Sequence, residues 1–201
     1  MQRRITVFGL VVMIGTLALV GSQNRLLATQ GATPSASPTV CPTTTPEENA
    51  DMVRRYWNEV YNERHPEVAA DYLADDFVRQ NPGRPQVNEP GNDDDVQRAR
   101  ENLEDFPDLH ITVEDVIADG DRVVARLTWT GTQQAPLETW GAPVTGRAAT
   151  WQMIAIYTVR CGQLAEQWIA ADYLGMLRQL GVVTDDELQT IGTPTVATPA
   201  P

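Results

Sequence analysis

Two acidic residues near the C-terminal end of the chain have the spacing for proton-transfer chemistry. Glu166, Trp168, Ala170 and Asp172 share one parity along a predicted strand, so their side chains point to one side. That side is expected to be buried, and two acids on a buried face favour a pocket there over plain core. Trp57, Trp129 and Trp168 are candidates to wall an apolar pocket around Asp172. Burial among indoles disfavours the carboxylate and raises its pKa toward neutrality. Asp172 has a second reading. It stands just before a predicted helix, whose first turn its side chain would cap, a contribution of ~1 kcal/mol. Helix N–H groups stabilise the anion, so this reading lowers the pKa instead. The tryptophans, too, have a plain alternative as core residues.

Other chemistry finds little support. His65 precedes Pro66 at a helix junction and is expected to be solvated, and His110 stands alone on a strand. Asp93, Asp94 and Asp95 lack the glycine and terminal glutamate of a calcium loop, and suit the first turn of a helix. Two cysteines, Cys41 and Cys161, with no CxxC pair, exclude a cysteine-rich zinc site. There is no glycine-rich phosphate loop and no G-x-S-x-G elbow.

A chain of 201 residues, 42% hydrophobic, is long enough for one domain with flanking segments and a buried core. Its net charge of −12 argues against a nucleic-acid partner or an anionic membrane surface, both of which need basic residues. A small neutral or apolar ligand suits that charge.

The elements that must position these residues begin after two other segments. Arg3 and Arg4 precede an uncharged apolar run over residues 5–20, which reads as a signal segment within residues 1–30. The protein is therefore expected to be exported, to the envelope or medium, with an uncleaved anchor as the alternative. Residues 31–45, rich in Thr, Pro, Ala and Ser, are expected to form a disordered linker, and residues 190–201 a similar tail. The domain spans 46–189. Thr45, Pro46 and Glu48 form a capping box, after which Ala50, Val53, Trp57, Val60 and Tyr61 recur at helical spacing. Pro66 starts a second short helix. A Gly/Pro/Asn-rich loop over 81–92 leads to a third, with Val96, Ala99, Leu103 and Phe106, closed by Pro107. The pattern then turns to strands over 109–118, 122–132, 147–160 and 163–171, with hairpin turns at Asp119-Gly120 and Cys161-Gly162. A last helix over 172–180 ends at Gly181. Helices followed by an antiparallel meander indicate an α+β fold, and a long sheet curling over helices leaves a concave face.

Three stretches carry a resemblance: MVRRYWNEVYNER, FPDLHITVEDVIADGDRVVARLTWTGT and WGAPVTGRAATWQMIAIYTVRCGQLAEQWIAADYLGMLRQLGV. The last is the most specific, with a PxTGR turn, a hairpin turn, E-x-W and D-x-L-x-x-L-x-Q-L-G in order. Residues 48–183 thus resemble the SnoaL-like polyketide cyclase family, within the nuclear-transport-factor-like superfamily. The resemblance implies a cone-shaped α+β barrel, a strongly bent antiparallel sheet wrapped around N-terminal helices and enclosing one apolar pocket. It implies ring closure of an aromatic polyketide ester by intramolecular aldol condensation, with no metal and no organic cofactor. The family's proton-shuttling acid, at the end of the last strand, falls at Asp172, and a pocket-shaping Trp of the first helix falls at Trp57. The implied partner is a small apolar or aromatic ligand. Domains of this fold often pair through the open sheet, so a homodimer is a further expectation.

Two positions depart from the family's pattern. Gln80 and Gln133 stand where relatives commonly have histidines, and glutamine cannot titrate near neutral pH. Both are kept as substrate-binding candidates beside Trp57, Trp129, Glu166 and Trp168. Three function classes follow: a cofactor-independent cyclase or isomerase, a non-catalytic binder of a small apolar ligand, and an interaction module. Asp172 and the C-terminal match favour the first, whereas the two glutamines and the export signal favour the second. An oxidising compartment permits a disulfide between Cys41, just before the first helix, and Cys161, at a hairpin tip. Two free thiols or an intermolecular bridge are the alternatives.

Overall fold

The computed structural model describes residues 41–84, 91–186 and 188. The expected signal segment, residues 31–40 of the expected linker, residues 85–90 of the loop and the expected C-terminal tail lie outside the described residues. No helix among the described residues is long and apolar enough to cross a membrane.

Helix α1 (Pro46–Trp57) starts where its cap sits. Thr45 Oγ1 accepts from Glu48 N at 3.2 Å, and Glu48 Oε2 accepts from Thr45 N at 2.8 Å. Two of the helix's unpaired first-turn donors are thereby satisfied. A π-helical turn, Asn58–Asn62, continues the helix, and its apolar stripe (Val53, Tyr56, Trp57, Val60, Tyr61) is buried. Asn62 clamps the end of this turn to the sheet. It donates to Ile111 O at 2.9 Å and accepts from Ile111 N at 2.8 Å. After a 3-10 turn (Pro66–Val68) and α2 (Ala69–Tyr72) come β1 (Leu73–Gln80), α3 (Asn92–Asp105), β2 (His110–Asp119), β3 (Arg122–Thr132), β4 (Ala148–Arg160), β5 (Gln163–Ala171) and α4 (Tyr173–Leu180).

The five strands form one bent, unclosed sheet in the order β1-β5-β4-β3-β2. Pairing is antiparallel from β2 to β5, as the meander pattern predicts. The edge strand β1 is an addition to that pattern, and it pairs parallel to β5. Its sequence, LADDFVRQ, hides the period of two because exposed Asp75 and Asp76 interrupt the alternation and the register shifts between Leu73 and Val78. The concave face carries Val123, Ala125, Leu127 and Trp129 of β3 and Trp151, Met153, Ala155 and Tyr157 of β4, packed on α1. Gly131 lets α3 end against this face, because a methyl there would lie 3.0 Å from Phe106 Cβ. Cys41 and Cys161 form a disulfide, with Cα atoms 4.6 Å apart, fastening the arm before α1 to the β4–β5 turn.

Candidate functional site

Between the concave sheet face and the helices lies a cavity with an empty volume of about 560 Å³ including its mouth. Its wall is aromatic: Trp57 and Tyr61 from the first helix, Phe106 after α3, Trp129 and Trp151 from the sheet, and Trp140 from a 3-10 turn (Glu138–Trp140). The rings pack edge to face and tilted, with Trp57–Trp129 centroids 5.8 Å apart and Trp129–Trp151 5.6 Å. The indole N–H groups of Trp57 and Trp129 are buried without a hydrogen-bond partner among the described residues. A buried unpaired donor costs about 1–3 kcal/mol, so an oxygen-bearing ligand gains by meeting either one.

The second side of the cavity is polar. Arg79 of β1, Arg98 of α3 and Arg84 after β1 line it, with Asn81, Asn102 and Asp105. All 15 basic residues of the chain are arginine, a cation that keeps its proton when desolvated. Arg79 is 5% and Asp95 3% exposed, and they form a buried ion pair. Arg98 pairs with Asp94 and brings Nε within 3.8 Å of Asp95. Burial opposes the charge on Arg79, but Asp95 and the nearby tyrosines outweigh it and raise its pKa. Burial likewise pushes the Asp95 carboxyl up, against the pull of Arg79 and Arg98. With two guanidiniums against one carboxyl, the geometry favours the charged trio.

Arg84 differs from the other two arginines. It donates to Thr139 Oγ1 at 2.8 Å and lies over the Trp140 ring, 4.8 Å from its centroid. Burial lowers its pKa; Arg98 and Arg79 add to this, while Tyr173 and Asp105 oppose it.

Asp105 is the last residue of α3 and is half-buried at the cavity. Its backbone carbonyl accepts from Gln134 N at 2.8 Å, and its carboxyl has no hydrogen bond among the described residues. Burial raises its pKa to about 6; Arg84 pulls it down, and Glu101, Glu104 and Glu138 push it up. A carboxyl at a helix C-terminus also faces the negative end of the helix dipole, which acts in the same upward direction.

Of the residues singled out in the sequence, Trp57 and Trp129 line this cavity, and the other five do not. Asp172 is exposed and caps α4, its Oδ1 accepting from Gly175 N at 2.8 Å. Its position is therefore that of the helix-cap reading rather than the pocket reading. Trp168 is 44% exposed on the convex face and donates from Nε1 to Glu166 Oε1 at 2.8 Å. The face assignment fails at a register shift where Leu164 opposes Val159 but Glu166 opposes Thr158. Past that bulge, Ala165, Gln167 and Ile169 point inward and Glu166, Trp168 and Ala170 outward. Gln80 sits beside Trp168 in the β1–β5 register, while its neighbours Arg79 and Asn81 take the cavity side. Gln133 is fully buried and spends its amide on a loop. It donates to the carbonyls of Ala135 and Pro143 (3.0 and 2.9 Å) and accepts from Thr145 N and Oγ1 (3.1 and 2.6 Å). No group of three or more His, Cys, Asp or Glu that could hold a metal ion occurs among the described residues.

The family profile of SnoaL-like polyketide cyclases matches residues 51–180. The chain belongs to the SnoaL-like polyketide cyclase family. Solved structures agree with the fold of this SnoaL-like domain. TsrD from Streptomyces laurentii is 28% identical, with a TM-score of 0.62, over 70% of this chain and 99% of that one. IdmH from Streptomyces antibioticus is also 28% identical, with a TM-score of 0.55, over 66% of this chain and 98% of that one. A SnoaL-like polyketide cyclase from Agrobacterium tumefaciens, 22% identical with a TM-score of 0.54, covers 66% of this chain and 98% of its own. No curated protein matches the sequence. The SnoaL-like domain thus has a cavity whose polar side, Arg79, Arg84, Arg98 and Asp105, sequence reasoning missed. One signal was present: Glu104 and Asp105 close a last helical turn that holds no basic residue, with Glu101 just before it, against the dipole.

Proposed function

We propose that this SnoaL-like domain carries out cofactor-independent acid/base chemistry on a planar carbonyl compound, with Asp105 as the group that carries the proton. The observation behind this reading is the Asp105 carboxyl itself, at the aromatic cavity, free of hydrogen bonds among the described residues and raised to about 6. An acid poised near the working pH both accepts and returns a proton. The carboxylate removes a proton from the carbon next to a carbonyl, breaking the C–H bond. The enolate carbon then bonds to a second carbonyl carbon of the same molecule. The alkoxide so formed recovers the proton from Asp105. The indole N–H groups of Trp57 and Trp129 supply donors for a developing oxyanion.

The test is deuterium wash-in next to the carbonyl of an aromatic ketone such as 2-tetralone, followed by NMR. Asp105→Asn should slow exchange roughly 10²–10⁴-fold. Asp172→Asn should leave it within a few-fold. The opposite pattern would return the role to Asp172, and no protein-dependent exchange at all would leave the non-catalytic binder.

A homodimer through the sheet is a second element of this reading. One cross-strand row on the convex face runs Ile117–Val124–Ile156–Trp168, with Ile117 62% and Trp168 44% exposed. A second copy covering that row would remove it from water. Sedimentation should give a dimer for the wild type and a monomer for Trp168→Glu; a monomeric wild type ends the idea. Export belongs to the same reading, supported by the apolar N-terminal run and by a disulfide, which persists in oxidising compartments.

A further inference from the structure

The charges that line the cavity are unevenly committed. Arg79 and Arg98 already face Asp95 and Asp94. Arg84 has no carboxylate within ion-pair distance among the described residues. Its guanidinium is held instead by Thr139 and by the Trp140 face, an arrangement that fixes the fork while leaving donors over. Its Nε is buried and has no partner among the described residues. Beside it are the aromatic wall and the two unpaired indole donors of Trp57 and Trp129. The geometry points to an anionic aromatic ligand, a free carboxylate on a planar ring system, whose oxygens pair with Arg84 and whose binding brings a proton onto Asp105. The inference deepens the reading of Asp105 as the cavity's titrating group, but it needs no turnover.

The coupling follows from who faces Asp105. Arg84, from the segment after β1, is the cation that pulls its pKa down. Glu101 and Glu104 on α3 and Glu138 on the 3-10 turn push the other way. A ligand carboxylate on Arg84 offsets that attractive charge and adds a repulsive one. Asp105 must then bind its proton more tightly in the complex than in the free protein. By linkage, affinity falls as pH rises above the free Asp105 pKa, with a limit of about tenfold per pH unit. An ester or amide of the same ring carries no charge and leaves Asp105 as it was. Free acid and ester are thus sorted by pH, through one arginine and one aspartate.

The test is isothermal titration calorimetry of the full chain with 2-naphthoate and with its methyl ester, at several pH values and in two buffers of different ionisation enthalpy. Naphthoate should bind with net proton uptake, more weakly at pH 7.5 than at pH 6 by roughly tenfold. The ester should bind with no uptake and no such dependence. Arg84→Gln should lose naphthoate affinity at least tenfold while keeping the ester, and Asp105→Asn should bind naphthoate without uptake. If Arg84→Gln does not fold, the wild-type uptake and the acid–ester contrast still decide. Equal, pH-independent binding of acid and ester, or binding of neither at millimolar concentration, overturns the inference. Loss of deuterium exchange in Asp105→Asn without proton uptake by naphthoate would spare the catalytic reading and sink this one.

Discussion

Replacing Cys41 and Cys161 together by alanine removes one covalent closure and leaves the α1 cap and the cavity in place. The bond joins residues 120 apart in sequence, so in the unfolded chain it closes a long loop and removes the freedom of the arm and the β4–β5 turn to move apart. The chain-entropy relation gives about 5 kcal/mol for a loop of that length. The folded side of the balance changes little, because Cys41 stands only a few residues before the capped start of α1 at Thr45. At roughly 2–4 °C per kcal/mol for a domain of this size, Tm should fall by roughly 10–20 °C. Differential scanning calorimetry of the double variant, and of the wild type with and without a phosphine reductant, measures it. Reduced wild type and double variant should agree. A drop below about 1 kcal/mol, or two free thiols per chain in the denatured, unreduced wild type, would refute the loop-closure reasoning.

Four further outcomes follow from the side chains. Asp172→Ala should lose a helix cap, costing about 1 kcal/mol in urea unfolding, with cavity binding of methyl 2-naphthoate unchanged. Gly175→Ala should act alike, since its methyl would meet the Asp172 carboxylate. Arg79→Met removes one side of a buried ion pair and should destabilise by about 3–5 kcal/mol in the same assay. For Asp105 the folded pKa is raised, so the folded state holds the proton more tightly. Its favourable contribution is present below the unfolded value and is lost as pH rises from about 4 through about 6. Asp105→Asn should therefore stabilise the protein at pH 7 by roughly 1–1.5 kcal/mol after discounting for partial exposure, and not at pH 3.5.

The sequence carried the fold wherever the signal was local. Thr45 and Glu48 announce α1 because both halves of the cap lie within four residues. Asp119-Gly120 and Cys161-Gly162 announce their hairpins because Gly120, Cys161 and Gly162 all take positive φ. The parity of β3 was readable because its register with β2 and β4 keeps Val123, Ala125, Leu127 and Trp129 on one side. In β5 the same reasoning broke at the bulge, which puts Leu164 and Trp168 on different faces despite their common parity. The polar side of the cavity was illegible for another reason. Arg79, Asp95 and Arg98 meet only through tertiary packing of β1 against α3, and nothing in DDFVRQ or DDDVQRAR marks which charge is buried. Four of the five tryptophans line the cavity, so aromatic content pointed the right way; only Trp168 lies outside.

Titrating the Asp105 carboxyl by carbon-detected NMR, with Asp105→Asn as the assignment control, tests the central claim most directly. The apparent pKa should lie near 6, because burial at the cavity raises it and Glu101, Glu104 and Glu138 push the same way. A value at or below the ordinary ~3.9 of aspartate would mean that the carboxyl is solvated or ion-paired, and would contradict the claim that it carries the proton.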